Sequence, residues 1–165
     1  MVKSSKINVG ITVGDPNGIG IEIILKSLSN FSLFHECNFI IYASTSLIEK
    51  QKQHFQIDTP PLKKIDSEED LSDTQINVKE VFSNSQFNFG ESDKELSELG
   101  ILSLKEATKA IKDNKIDILV TAPINKDLSF SESFKYTGHT DFLKNYFRRS
   151  PLMSVSYTHL RAHET

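Results

Sequence analysis

Three short segments of the chain carry residue types that can do chemistry. The first is Gly14-Asp15-Pro16-Asn17-Gly18-Ile19-Gly20. Glycines let backbone N–H groups approach an anion, and a helix that starts after such a loop favours negative charge at its N-terminus. A phosphate or carboxylate ligand would suit it. The same residues equally make a tight strand-to-helix turn, with Asp15 and Asn17 bonding local backbone. The spacing is neither Gly-x-Gly-x-x-Gly nor the P-loop pattern. The second segment is Thr121-Ala122-Pro123-Ile124-Asn125-Lys126. Lys126 could bind a phosphate or pair with a carboxylate; a solvated loop lysine is the alternative. The third is Tyr136-Thr137-Gly138-His139-Thr140-Asp141. It offers an imidazole, a hydroxyl and free backbone donors at one helix start, a set that could hold a phosphorylated substrate. Against this stands Thr140 as a plain N-cap with His139 exposed beside it.

The chain end holds His159 and His163 at i and i+4, which share a face on a helix. This is not His-Glu-x-x-His, and no third ligand lies nearby in sequence, so no metal site is expected there.

These segments need elements to position them. Residues 6–13 are β-branched and end at the first loop, as a strand does. Ile21, Ile24, Leu25 and Leu28 repeat at i, i+3, i+4 and i+7, one helix face. Residues 38–43 form a nearly continuous apolar run, expected for a strand buried on both faces. Ser44 and Thr45 could cap a short helix after it. Pro60-Pro61 and the acidic stretch from Asp66 to Asp73 favour irregular structure over 58–75. Residues 76–82 alternate apolar and polar, as in a half-buried strand, and 83–93 are polar and turn-rich. A helix is predicted from about Leu96 to Asn114, with Leu104, Ala107, Thr108 and Ile111 on one face. Residues 116–122 read as a central, buried strand stopped by Pro123, and a last helix runs from near Gly138 to Phe147. Strands alternating with helices predict an α/β fold with a largely parallel sheet. Ligands of such sheets sit outside the carboxyl ends of the strands, where all three segments fall.

Composition narrows the class. The chain has 165 residues, 38% hydrophobic and 25% charged, with a formal charge of −3. One domain fits this length, and disorder and low-complexity classes are excluded. The net charge gives no push toward nucleic acid or an anionic membrane. Cys37 is the single cysteine, so no intrachain disulfide can form. No apolar run approaches the ~20 residues of a membrane span, and no signal sequence is evident. The expectation is a cytoplasmic protein.

Taken together, the three segments are far more specific than any one. Ile11-Thr12-Val13-Gly14-Asp15-Pro16-Asn17-Gly18-Ile19-Gly20-Ile21-Glu22 resembles the opening signature of the 4-hydroxythreonine-4-phosphate dehydrogenase family of vitamin B6 biosynthesis. Residues 116–126 resemble its central strand and loop, and Tyr136-Thr137-Gly138-His139-Thr140-Asp141-Phe142-Leu143 its Gly-His-Thr-Glu/Asp segment. Ile21 stands where the family usually has proline, a tolerable loss near a helix start. The resemblance implies an isocitrate/isopropylmalate dehydrogenase-like α/β fold, homodimeric, with the active site at the domain and subunit interface. It implies NAD-dependent oxidation of 4-phosphooxy-L-threonine to a β-keto acid, which decarboxylates to 3-amino-2-oxopropyl phosphate. It implies a divalent metal (Zn, Mg or Co) held by three histidines that polarises the reacting oxygen. Carried over by motif, His139 and Thr140 contact substrate, and Lys126 and Asp15 are candidate catalytic residues. No cofactor-binding residue is assigned.

The resemblance also sets limits. Family members are about twice this long, a two-domain size, and their metal histidines lie beyond the Gly-His-Thr segment. Residues 1–153 are therefore expected to be the N-terminal part of the fold. Residues 154–165 resemble a translated sequencing-adapter tail and are excluded from the fold. Such a piece would be inactive, without the metal triad, and would aggregate through an unpaired strand edge. The alternatives are a sister dehydrogenase of 4-phospho-threonate or 4-phospho-erythronate, and a non-catalytic phosphate-binding α/β module.

Overall fold

A computed structural model describes residues 6–83, 86–125 and 134–149. Lys126, His159, His163 and the 154–165 tail lie outside the described residues. Five parallel strands form one sheet in the order β3-β4-β2-β1-β5. They are β1 (Ile7–Thr12), β2 (Cys37–Ala43), β3 (Leu62–Ile65), β4 (Ile76–Glu80) and β5 (Ile118–Thr121). Among the described residues the helices are α1 (Gly20–Leu28), α2 (Thr45–Phe55), α3 (Lys94–Lys112) and α4 (His139–Phe147), with a 3₁₀ turn at Phe31–His35.

The sheet separates two cores. Val9, Ile11, Phe39 and Ile41 pack on one face against Ile21, Ile24 and Leu25 of α1 and Leu47 and Ile48 of α2. Ile40 and Tyr42 pack on the other against Ala107 and Ala110 of α3. The alternation within β2 therefore feeds both cores, the period-2 consequence of a strand buried on both faces. The four apolar residues that announced α1 are all buried. Helix α3 starts two residues earlier than expected, because Asp93 caps it: its Oδ1 accepts from Leu96 N at 3.1 Å. Ser44 is the N-cap of α2, yet its hydroxyl bonds Ser46 Oγ at 2.9 Å rather than capping the helix.

Several expectations are corrected. Residues 58–75 are not wholly irregular: β3 runs inside them, beside β4 at the edge of the sheet. Its Lys63 and Lys64 hid it, since an edge strand tolerates charge on its open side. Strand β4 is more buried than its alternation implied. Ile76, Asn77 and Val78 are all buried, and Asn77 satisfies itself by donating from Nδ2 to Phe39 O and Ser72 O. Finally, β5 is the last strand of the sheet among the described residues, not a central one. Among the described residues it pairs with β1 alone, and Ile118 and Val120 are 45% and 47% exposed.

Candidate functional site

The carboxyl ends of β1 and β5 are joined at Gly14. Its φ of +65° is open to glycine and costly for other residues. A Cβ there would stand 2.1 Å from Pro123 O, so the chain can pass only without a side chain. Asp15 N donates to that same carbonyl at 2.9 Å. On the other side α3 presses in: a Cβ on Gly100 would meet Gly14 O at 2.3 Å. One turn on, Ser103 Oγ donates to Tyr42 O at 2.5 Å and accepts from Val13 N at 3.1 Å. Gly20 closes the loop, since a Cβ there would lie 2.8 Å from Val13 O. Two of the loop's three glycines thus serve backbone packing, and Gly18 alone has room around it.

The side chains of the loop divide the two readings left open by spacing. Asp15 Oδ1 accepts from Asn17 N at 2.9 Å, and Gly18 N donates to Asp15 O at 3.0 Å, so Asp15 does organise a local turn. The side chain of Asn17, by contrast, does not bond locally. Its Oδ1 accepts from Asn88 N at 2.8 Å and its Nδ2 donates to Glu91 O at 3.0 Å. Gln51 of α2, fully buried, donates from Nε2 to Pro16 O at 2.8 Å. Neither long-range partner was legible in the sequence, because nothing local marks a contact across 35 or 71 positions.

Helix α4 brings the third segment to the same side of α3. Phe142 packs with Ile101, Leu104 and Phe134, and Ile124 of the second segment packs against that cluster. The N-cap is Gly138, not Thr140, so His139 and Thr140 are the first two helical residues. His139 is half-buried and Thr140 exposed. Asp141 reaches back and accepts from Thr137 N at 3.2 Å, in the manner of a capping box. The first helical bond is Phe142 N to Gly138 O, so the amides of Thr140 and Asp141 precede the intrahelical ladder. The segment therefore combines the exposed Thr140 with first-turn amides that lie ahead of the intrahelical ladder.

The fit of the implied groups differs from the expectation drawn for a whole enzyme. Among the described residues no three His, Cys, Asp or Glu side chains gather as a metal site. Nor do the glycines offer a dinucleotide cradle, since Gly14 and Gly20 are filled by protein backbone. Behind the loop, Tyr42 donates its hydroxyl to Glu68 Oε1 at 3.2 Å; burial first, and the Glu68 charge second, raise its pKa far above the ordinary tyrosine range.

A parallel sheet with polar loops at its carboxyl ends, braced by helices on both faces, defines an α/β protein of the dehydrogenase-like kind. The family model described as "Pyridoxal phosphate biosynthetic protein PdxA" matches residues 35–164, and the chain belongs to that family. It is 34% identical, over 137 residues, to a 4-hydroxythreonine-4-phosphate dehydrogenase of Sulfurihydrogenibium sp., covering 83% of this chain and 42% of that one. It is 31% identical to a protein of Oceanobacillus iheyensis provisionally named D-threonate 4-phosphate dehydrogenase, over 85% of this chain and 43% of that one. Its fold superposes with a TM-score of 0.75 on the 4-hydroxythreonine-4-phosphate dehydrogenase of Klebsiella pneumoniae, at 25% identity, over 90% of this chain and 45% of that one. The chain thus spans well under half the length of these relatives. Among the described residues no helix is long and apolar enough to cross a membrane.

Proposed function

We propose that this chain supplies the substrate-side loops of an NAD-dependent oxidoreductase of pyridoxal phosphate biosynthesis. The reaction is oxidation of the secondary alcohol of 4-phosphooxy-L-threonine. The β-keto acid that results loses carbon dioxide to give 3-amino-2-oxopropyl phosphate. The observation that carries this reading is the gathering of the three family segments at one end of the sheet, with Gly14 locked to Pro123 and Ile124 packed near Phe142. Ligands of parallel sheets bind at that end.

In this reading His139 and Thr140 hold the phosphorylated substrate, aided by the first-turn amides of α4. Asp15 shapes the loop, its Oδ1 accepting from Asn17 N. Lys126, four residues after Ala122, is the candidate cation for a substrate phosphate or carboxylate. When bound, a nicotinamide would supply the hydride acceptor and a divalent ion would supply polarisation of the alcohol oxygen. The working enzyme is a cytoplasmic homodimer, and the 165-residue chain by itself is inactive.

The test uses the complete reading frame that contains residues 1–153. The purified enzyme is offered 4-phosphooxy-L-threonine and D-threonate 4-phosphate with NAD, and NADH formation is followed. Turnover of the first substrate, with KM raised about 10- to 100-fold by His139→Ala or Thr140→Ala, is expected for lost charge-assisted contacts. Turnover of the second alone favours the sister activity, whose support is the name of the Oceanobacillus relative. Phosphate binding without turnover of either leaves a non-catalytic module.

A further inference from the structure

Asn17 is 5% exposed and is the most heavily bonded residue of the Gly-rich loop. Its side-chain amide meets two partners with opposite needs. Asn88 N must donate and Glu91 O must accept, at 2.8 and 3.0 Å. The primary amide carries an acceptor and a donor on one planar head and so satisfies both at once. A third bond runs from Gly90 N to the Asn17 main-chain carbonyl at 3.2 Å. The 88–91 segment leads directly to Asp93, which caps α3. Helix α3 then returns to the loop, with Gly100 on Gly14 and Ser103 on Val13. The loop is therefore gripped twice by one stretch of chain, by the helix and by its lead-in. A cavity of about 390 Å³ adjoins this grip, lined by Lys50, Phe87, Asn88, Asp93 and Leu96. Asn88 is at once the residue Asn17 holds and a wall of that cavity.

We propose that Asn17 is a positioning residue: its amide latches the 88–91 segment to the Gly-rich loop and so sets the opening of the cavity between α2 and the start of α3. This deepens the reading of the strand ends as the ligand site, and the two can fail separately.

The experiment is residue-resolved amide hydrogen exchange on the 165-residue chain, comparing wild type with Asn17→Asp from acid to neutral pH. Rates are divided by the intrinsic rate at each pH. At neutral pH the introduced carboxylate still accepts from Asn88 but sets a second bare oxygen against Glu91 O. Asn88 and Gly90 are expected to exchange at least about tenfold faster than in wild type, while Ile41 of β2 stays protected. On acidification the protonated carboxyl regains a donor, and protection at both amides returns. Wild type shows no such pH dependence. Protection unchanged at neutral pH overturns the latch. So does loss confined to Asn88, because Gly90 bonds the main chain and exchanges faster only if the whole segment lifts. Should Asn17→Asp unfold the chain, Asn17→Ser buries no charge; it should lose protection at Asn88 and Gly90 at every pH, and retained protection there overturns the proposal. Inorganic phosphate titrated into wild type, read at the Gly18 and Thr140 amides, addresses the ligand site alone: no shift counts against that site while the exchange data still decide the latch.

Discussion

Strands β2 and β5 read almost alike as apolar runs and come to different ends. In β2 every residue from Phe39 to Ala43 is buried, with alternate side chains feeding two cores. In β5 alternate residues are exposed, and Val120 lines an apolar groove of about 270 Å³ with Ile11, Ile23, Ile24 and Phe39. Helix α3 covers one face of β5 through Leu119, but α1 does not reach across its other face. An apolar run reports that a strand is built to be covered; it does not say which element covers it. The same contrast separates the crowded strand ends at Gly14, where backbones touch, from the open β5 edge a few residues away.

The largest expected effect breaks the crowded side. Gly100→Ala would drive a Cβ into Gly14 O, and Gly14→Ala adds the positive φ. Each should cost roughly 3 kcal/mol or more and abolish cooperative folding, read by urea unfolding followed by circular dichroism. Next, Ile41→Ala in β2 should cost about 3–4 kcal/mol, whereas Ile118→Ala in β5 should cost less than about 1 kcal/mol in the same assay. Equal losses would break the comparison between the strands. Ser103→Ala removes two buried hydrogen bonds and should cost about 1–2 kcal/mol.

Smaller effects sharpen the picture. Val120→Lys should leave the unfolding midpoint nearly unchanged while lowering self-association in sedimentation, because it charges an exposed edge. A wild-type chain that stays monomeric at high concentration would count against the sticky-edge expectation. Tyr42 supplies a pH test. Its folded pKa is raised, so its contribution to stability is full below the unfolded value near 10.0 and is lost as pH climbs above it. Alkaline unfolding of wild type should therefore begin above about pH 10, and Tyr42→Phe should flatten that loss.

Much of this architecture was legible because its signals are local. Ile21, Ile24, Leu25 and Leu28 announced α1 by spacing alone, and residues 38–43 announced a doubly buried strand. The Gly14–Gly20 loop and the helix start near Gly138 were likewise announced by their turn residues. What failed had non-local causes. Strand β3 was hidden by Lys63 and Lys64, which are tolerable only because β3 lies at a sheet edge. Thr140 looked like a cap, but the helix begins at His139 behind Gly138. Asn17 looked like a turn residue, and its partners lie 71 and 74 positions away.

The sequence by itself determined the alternation of strands and helices, the parallel sheet and the family, since hydrophobic period and motif spacing are properties of neighbouring residues. Tertiary structure alone decided that β5 ends the sheet among the described residues, that Gly14 and Gly100 touch, and that Asn17 holds Asn88 and Glu91. Those facts depend on which distant segments the folded chain brings within hydrogen-bond or van der Waals reach, and no local pattern encodes that choice.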